Sequence, residues 1–328
     1  MTSPLSRLSA VQPLSVDGEG AGGEVPPRRA AIQDALLSWY ARERRDLPWR
    51  RTRDPYAILV SEVMLQQTQV DRVIPKYQDF LGRFPTFAAL ATAPVADVIR
   101  AWAPLGYNQR AVRLWRAARR VTSGHGGALP PDPETLRALD GVGEYTASAV
   151  GCFAFGWQVP VVDTNVRRVL CRVLWGGVAP TRKDLREAAG ALLPKGQASD
   201  WSQALMDLGA TVCLSRRPRC GVCPLRAQCA AAPTLQGGAS VIAEVKTGYR
   251  AAPFQGSSRY YRGRILHHLR GLNPGGASPL SELGLAVRKD FTQEHIPWLE
   301  EMVERLARDG LARVNPGDGD RESSVSLP

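Results

Sequence analysis

The sequence predicts an all-α protein. Between residues 55 and 156, apolar residues recur at helical spacing in one segment after another, and no run alternates like a half-buried strand. Start signals agree with this reading: Asp132 before Pro133 is typical of an N-cap and first helical position, and Thr181 with Asp184 resembles a capping box. In chain order we expect helices over residues 30–45, 56–69, 71–81, 86–91, 95–101, 108–122, 133–139, 145–155, from just after Asn165 to Leu174, 182–193, 199–212, 257–271, 279–288 and 297–309.

Length and charge narrow the class of protein. With 328 residues the chain is long enough for two or three domains. Its formal charge of +11 and pI near 9.8 favour a polyanionic partner, nucleic acid first. No apolar run is long and clean enough for a membrane span, and the N-terminus lacks the apolar core of a signal peptide, so we expect a cytoplasmic protein.

Both ends of the chain differ from its middle. The first 27 or so residues are rich in Ser, Gly and Pro and predict a disordered tail. From about residue 257, three helical patterns and a short strand over 311–314 predict a small, winged-helix-like unit. Its basic residues predict a surface that contacts phosphate without reading sequence; they are Arg259, Arg262, Arg264, Arg270, His267 and His268.

Glu62 is the only charged residue between positions 55 and 70. Ile58, Leu59, Val63 and their apolar neighbours surround it, so this helix is expected to be buried. A carboxylate there loses solvation, and its pKa should rise toward the range in which it donates a proton near neutrality. The alternative is an ordinary surface glutamate on an amphipathic helix.

Four cysteines form a compact group with the spacing C-x6-C-x2-C-x5-C. They are Cys213, Cys220, Cys223 and Cys229. Four thiolates this close can surround one metal centre, and the ligand set allows zinc or an iron–sulfur cluster. Arg216 and Arg217 lie between the ligands, so the same loop is basic.

Two further motifs are suited to binding and catalysis. Gly141 and Gly143 allow a tight hairpin whose N–H groups, with the next helix N-terminus, can hold a phosphate, although such a motif is often only a turn. Asp163 stands where an apolar run becomes a helix, as a plain N-cap would. A catalytic role together with Glu62 is the second interpretation of Asp163, because cleavage of a glycosidic bond needs one neutral and one ionised carboxyl group.

These motifs carry a family resemblance. The hairpin LDGVGEYTA (139–147), the segment VVDTNVRRVL (161–170) and the four-cysteine loop resemble the helix-hairpin-helix DNA glycosylase superfamily. SEVMLQQTQV (61–70) resembles the MutY-type adenine DNA glycosylases within it. The resemblance covers about residues 30–232. It implies a six-helix barrel over 55–160, an iron–sulfur domain over 30–54 plus 161–232, and by exclusion a tail over 1–29, a linker over 233–256 and a C-terminal domain over 257–328.

The resemblance also implies roles for individual residues. Glu62 resembles the acid that protonates N7 of a flipped adenine, and Asp163 the carboxylate that stabilises the oxocarbenium sugar. Tyr145 and Asn165 resemble the residues that orient these groups. The four cysteines resemble the ligands of a [4Fe–4S] cluster. The expected DNA-contacting residues, of which Gln67 and Tyr107 match the wedge around the mispaired purine, are Gln66, Gln67, Tyr107, Gly141, Gly143, Arg216 and Arg217.

The implied function is a monofunctional glycosylase that removes adenine mispaired with 8-oxoguanine or guanine from double-stranded DNA. We expect it to be a monomer associated with the nucleoid. An endonuclease III-like glycosylase and lyase is the nearest alternative, but its lysine nucleophile would stand where Tyr145 is. A third reading is a non-catalytic DNA-damage binding protein. The presence of both catalytic carboxyl groups, Glu62 and Asp163, is evidence against it. The sequence departs from the family's pattern at Asp140, where proline is usual, and at Asn108, which replaces a second tyrosine. Many members of the family end in a Nudix-like domain, and we expect none here because no β-rich segment of that kind is recognisable.

Overall fold

The computed structural model describes residues 27–236, 253–318 and 322–328, so most of the expected tail and linker lie outside it. The described residues are mainly helical, as predicted, and their three strands all lie near the C-terminus. None of these helices combines the length and apolar character needed to span a bilayer. The helices are α1 (Pro27–Glu43), α2 (Pro55–Leu65), α3 (Val70–Arg83), α4 (Phe87–Thr92), α5 (Val95–Trp102), α6 (Gln109–His125), α7 (Pro133–Arg137), α8 (Glu144–Phe155), α9 (Thr164–Trp175), α10 (Arg182–Ala191), α11 (Ala198–Thr211), α12 (Ala232–Gln236), α13 (Ser258–Gly271), α14 (Leu280–Val287) and α15 (Ile296–Arg308).

Local signals in the sequence explain several helix ends. Asp132 accepts a hydrogen bond from the Thr135 backbone N–H (2.7 Å) and begins α7. Thr181 accepts one from the Asp184 N–H (3.1 Å) and begins α10. Gly176 ends α9 with a φ of 64°, a left-handed conformation that glycine adopts without steric cost.

The described residues form two compact units, the first made of residues 27–55 and 143–236. In it, α1, α9, α10 and α11 share one hydrophobic core that includes Leu36, Val169 and Trp201. Asp207 of α11 is fully buried beside this core. It accepts hydrogen bonds from the guanidinium groups of Arg45 (2.7 Å) and Arg50 (2.7 and 2.8 Å). These ion pairs tie the segment after α1 to α11.

The second unit contains residues 56–142 together with the C-terminal residues from 248 onward. The C-terminal part adds three short strands, β1 (Ala277–Pro279), β2 (Arg313–Asn315) and β3 (Ser324–Ser326). They form an antiparallel sheet in the order β1-β3-β2, in which Val325 lies opposite both Ser278 and Val314. Three helices and this sheet, in the chain order α13-β1-α14-α15-β2-β3, form a winged-helix arrangement, as the sequence predicted.

Some expected boundaries differ from the structure. The helix predicted over 56–69 ends at Leu65, because Gln67 adopts a φ of +56°. Residues 143–160, assigned to the barrel from the sequence, belong to the first unit, and the C-terminal residues share a unit with α2–α7.

Candidate functional site

Glu62 lies in α2, an apolar helix of the second unit. Every residue of α2 from Tyr56 to Met64 is buried, and Glu62 itself is 6% exposed. The reading of Glu62 as a surface glutamate is therefore wrong. Its carboxyl group is one of the few buried acidic side chains among the described residues. The raised pKa expected from this burial stays a prediction.

Two turns of the second unit contain residues with unusual backbone conformations. Gln67 follows α2 with a φ of 56°, and Tyr107 precedes α6 with a φ of 44°. Positive φ is uncommon for residues other than glycine and marks positions where the surroundings impose the conformation. Both side chains are exposed, Tyr107 by 53%. The two predicted wedge residues thus lie exposed in two turns whose backbone conformation is imposed by the surroundings.

Arg110 connects these two turns through hydrogen bonds. Its guanidinium donates to the backbone oxygens of Val63 (2.9 Å), Met64 (2.8 Å) and Gln66 (2.5 Å), which are carbonyls at the end of α2. It also donates to the Gly106 oxygen (3.1 Å). A helix C-terminus leaves such carbonyls unsatisfied, and a cation there also interacts well with the helix dipole. Burial lowers the pKa of Arg110 to about 10, which leaves it charged at neutral pH.

The two glycines of the hairpin, Gly141 and Gly143, are needed for different structural reasons. Gly141 has a φ of +80°, and a Cβ there would lie 3.2 Å from the Arg113 side chain, so the fold itself requires glycine. Gly143 has ordinary φ, and a Cβ there would meet nothing within 4 Å. Its missing side chain instead leaves the N-terminus of α8 open to a close approach from outside. Tyr145, in the first turn of α8, is half-buried.

Asp163 and Asn165 form a hydrogen-bonded pair at the start of α9. One Asp163 oxygen accepts from the Val166 N–H (2.7 Å), and the other from Asn165 Nδ2 (3.0 Å). Asn165 Oδ1 in turn accepts from the Arg168 guanidinium (2.8 Å), which also donates to the Cys213 backbone oxygen (2.9 Å). Asp163 is thus the N-cap that the sequence predicted, and it is also linked through two side chains to the cysteine loop.

The four cysteines line one cavity between α9, α11 and the loop that follows. Burial, with a smaller contribution from the neighbouring cysteines, raises the pKa of the Cys223 thiol to about 12. Arg172 donates to the Cys213 sulfur (3.2 Å) and the Leu214 oxygen (2.6 Å). Among the described residues, no group of three or more His, Cys, Asp or Glu could hold a single metal ion as placed.

Other site residues divide into those that were predicted and those that were not. Arg216 and Arg217 are exposed on the cysteine loop, as expected of a basic surface. Arg110, Arg168 and Arg172 carry no strong local sequence signal, because arginines are abundant and their partners lie far away in the chain. One signal was available for Arg168 and Arg172: they follow Asp163 on the same helix, at positions five and nine residues on.

Known proteins resemble a large part of this chain. Residues 60–195 match the family of HhH-GPD superfamily base excision DNA repair proteins. An adenine DNA glycosylase of Mycolicibacterium smegmatis is 47% identical over 241 residues, which are 72% of this chain and 79% of that protein. The structure of a thermostable thymine-DNA glycosylase matches with a TM-score of 0.59 and 34% identity, covering 63% of this chain and 97% of the other. An endonuclease III–DNA complex matches with a TM-score of 0.56 and 22% identity, covering 64% and 98%.

Proposed function

Because this chain belongs to the MutY-type adenine DNA glycosylases of the HhH-GPD superfamily, we propose that it removes adenine mispaired with 8-oxoguanine or guanine from double-stranded DNA. The reaction is hydrolysis of the bond between the base and the deoxyribose. Adenine in a duplex is stacked, so the base must first leave the helix and enter the protein.

The observation that supports this chemistry is the contrast between two carboxyl groups. Glu62 is buried in an apolar helix, which favours the protonated acid. Asp163 accepts two hydrogen bonds at a helix N-terminus, which suits a charged carboxylate. Glu62 protonates N7 of adenine, the C1′–N9 bond breaks, and adenine leaves with the bonding electrons. Asp163 stabilises the oxocarbenium sugar until water adds to C1′ and loses a proton.

The remaining site residues bind DNA and position these groups. Asn165 and Tyr145 orient the catalytic groups. Gly143 and the N-terminus of α8 bind a backbone phosphate. Gln67 and Tyr107, aided by Gln66, enter the duplex around the mispair, while Arg216 and Arg217 contact phosphates. An exposed aromatic ring can stack on a base that has lost its neighbour.

We further propose that the cysteine cavity holds a [4Fe–4S] cluster through Cys213, Cys220, Cys223 and Cys229. Four thiols around one cavity fit such a cluster, in which each thiolate binds a different iron atom and the sulfurs need not converge on one point. With such a cluster bound, the four cysteines would be thiolates without their protons, and the loop would be held as a basic surface. The Arg172 guanidinium then faces a negatively charged thiolate.

Excision assays test the function directly. The protein is incubated with duplexes that carry adenine opposite 8-oxoguanine, guanine, cytosine or thymine, and the products are divided between alkali-treated and untreated samples. We expect release of adenine from the first two duplexes, with strand breaks appearing only after alkali. A further duplex carries an oxidised pyrimidine. Release of that base, or strand breaks without alkali, would support the endonuclease III-like alternative, and binding without release would support the third reading.

A further inference from the structure

The C-terminal winged-helix segment (α13 to β3) has little of the charge expected of a DNA-binding domain. Residues 253–328 contain ten basic and ten acidic residues, so their formal charges cancel, while the whole chain carries +11. The outer face of α15 presents Glu300, Glu301 and Glu304 to solvent. Three carboxylates on one helix face repel phosphate.

The arginines of α13, expected from the sequence to face DNA, largely face protein. Arg262 forms an ion pair with Asp309, and Arg264 donates to the Ala286 oxygen (2.8 Å) and the Tyr260 hydroxyl (3.1 Å). Arg270 donates to Asn108 Oδ1 at 2.5 Å. Arg259 is the one of the four that is exposed. Three of the four arginines expected to form a phosphate-binding surface are therefore already hydrogen-bonded to protein groups.

The segment instead packs against α5 and α6. One hydrophobic cluster combines Ile99 of α5 and Val112 of α6 with buried residues of α13, α14 and α15. Gly310 approaches α6 so closely that a Cβ would lie 3.3 Å from a Val112 methyl group. A shared core of this kind fixes the segment on these two helices.

Two polar contacts extend this packing to the turn that bears Tyr107. Arg270 reaches Asn108, the residue that follows Tyr107. Asp309 accepts from Gln109 Nε2 (3.1 Å), and Gln109 Oε1 accepts from Arg113 (2.8 Å), the side chain beneath Gly141 of the hairpin. The C-terminal segment therefore contacts the two residues that follow Tyr107, and Arg110 donates to the Gly106 oxygen that precedes it.

We propose that the C-terminal winged helix is a positioning element, in which Arg270 and Asp309 hold the Tyr107 turn in the conformation that enters the duplex. This inference rests on the proposed function, since it assigns the turn to DNA. A turn that is already ordered loses less conformational entropy when it binds, so its effect should appear in recognition of the mispair. General affinity for DNA should depend on the basic residues elsewhere in the chain.

Arg270→Met removes the first contact, and Arg264→Met is its matched control on the same helix. Two dissociation constants are measured for each full-length variant, one for a duplex with an A:G mispair and one for a matched duplex. The rate of base release is measured at saturating enzyme. A 2-aminopurine beside the mispair reports local unstacking through its fluorescence.

We expect Arg270→Met to lower the ratio of matched to mispaired dissociation constants about fivefold to tenfold, the size of effect that loss of one typical hydrogen bond has. The 2-aminopurine signal should fall with it, while affinity for matched duplex changes less than about twofold. Arg264→Met should leave the ratio, the 2-aminopurine signal and the affinity for matched duplex near their wild-type values. Arg270→Lys should restore part of the ratio.

Asn108→Ala removes the same contact from the other side and leaves the C-terminal core unchanged. Its effect and that of Arg270→Met should not add in the double variant, because both remove one interaction. An Arg270→Met protein that matches Arg264→Met would overturn the proposal, as would an Arg270→Met protein that unfolds while Asn108→Ala retains wild-type discrimination. Absence of base release by the wild-type protein on every duplex would instead refute the proposed function.

Discussion

At the scale of single residues, the burial of Glu62 distinguishes it from the other acidic residues of α2–α7. A glutamine there keeps the shape and the apolar surroundings but has no proton to give. Glu62→Gln should therefore still bind mispaired duplex, within about threefold of wild type, and lose at least about 100-fold in base release, the lower limit typical of an acid catalyst. Single-turnover assays with excess enzyme measure this. Glu134→Gln, on the exposed face of α7, is the control and should react normally.

Asp207 illustrates a buried charge that serves folding. Burial alone would raise its pKa, but the hydrogen bonds and charges of Arg50 and Arg45 hold that pKa below its ordinary value. A lowered pKa in the folded state stabilises the protein above the unfolded pKa, and this stabilisation is lost as pH falls through the folded pKa. Asp207→Asn should cost about 3–5 kcal/mol at pH 7, because two guanidinium groups lose their partner.

Urea unfolding as a function of pH measures this effect. The difference between wild type and Asp207→Asn should shrink as pH falls below about 4, where the unfolded carboxyl becomes protonated. Asp97→Asn breaks an ion pair whose carboxylate is 51% exposed, and it should change stability by less than about 1 kcal/mol. A pH-independent difference for Asp207→Asn would contradict the assigned role.

At the scale of secondary-structure elements, α9 and α11 meet at a glycine. A Cβ at Gly209 would lie 2.6 Å from the Asn165 Cβ and 3.1 Å from its Cα. Gly209→Ala must therefore push α11 away from the residue that holds Asp163, and we expect a loss of about 1–3 kcal/mol in stability. Base release should fall as well, since the Asp163–Asn165 pair moves.

Gly190 of α10 provides the matched control for this change. It is also helical, and a Cβ there would meet nothing within 4 Å. Gly190→Ala should raise the free energy of unfolding by about 0.5–1 kcal/mol, because alanine lowers the conformational entropy of the unfolded chain. Thermal unfolding of both variants compares them, and equal effects of the two alanines would exclude a steric cause.

The cysteine loop carries the proposed cluster site, and its metal content can be measured directly. Freshly purified protein should be yellow-brown and contain about four irons and four sulfides per chain, as measured by colorimetric analysis and absorption spectroscopy. Removing the metal should weaken DNA binding, because Arg216 and Arg217 lie between the ligands. Stoichiometric zinc without iron would indicate the other centre that the cysteine spacing allows.

At the scale of the whole molecule, the structure changes what a C-terminal truncation should do. Composition alone predicts that residues 240–328 add sequence-independent affinity, so their removal should make the salt dependence shallower. The shared core with Ile99 and Val112 leads to a different expectation. Ending the chain near residue 235 should lower the melting temperature by several degrees or more, since apolar surface of α5 and α6 becomes exposed.

The salt dependence of DNA binding separates these two outcomes. Because the formal charges of residues 253–328 cancel, the slope of affinity against salt should stay near that of the full chain. A much shallower slope with an unchanged melting temperature would instead support the expectation that the C-terminal residues supply sequence-independent affinity for DNA.

By itself, the sequence determined the helical class, most helix positions, the family, and the identity of the candidate residues. These follow from local signals, since helical periodicity, capping residues and motif spacing involve residues close together in the chain. Only the tertiary structure decided where α2 ends, what Arg110 and Arg270 bind, and how the C-terminal helices pack. Arg110 contacts residues up to 47 positions away, and Arg270 bonds to a residue 162 positions away. An arginine's partner at such a distance depends on how the helices pack, and one sequence contains no local pattern that specifies it.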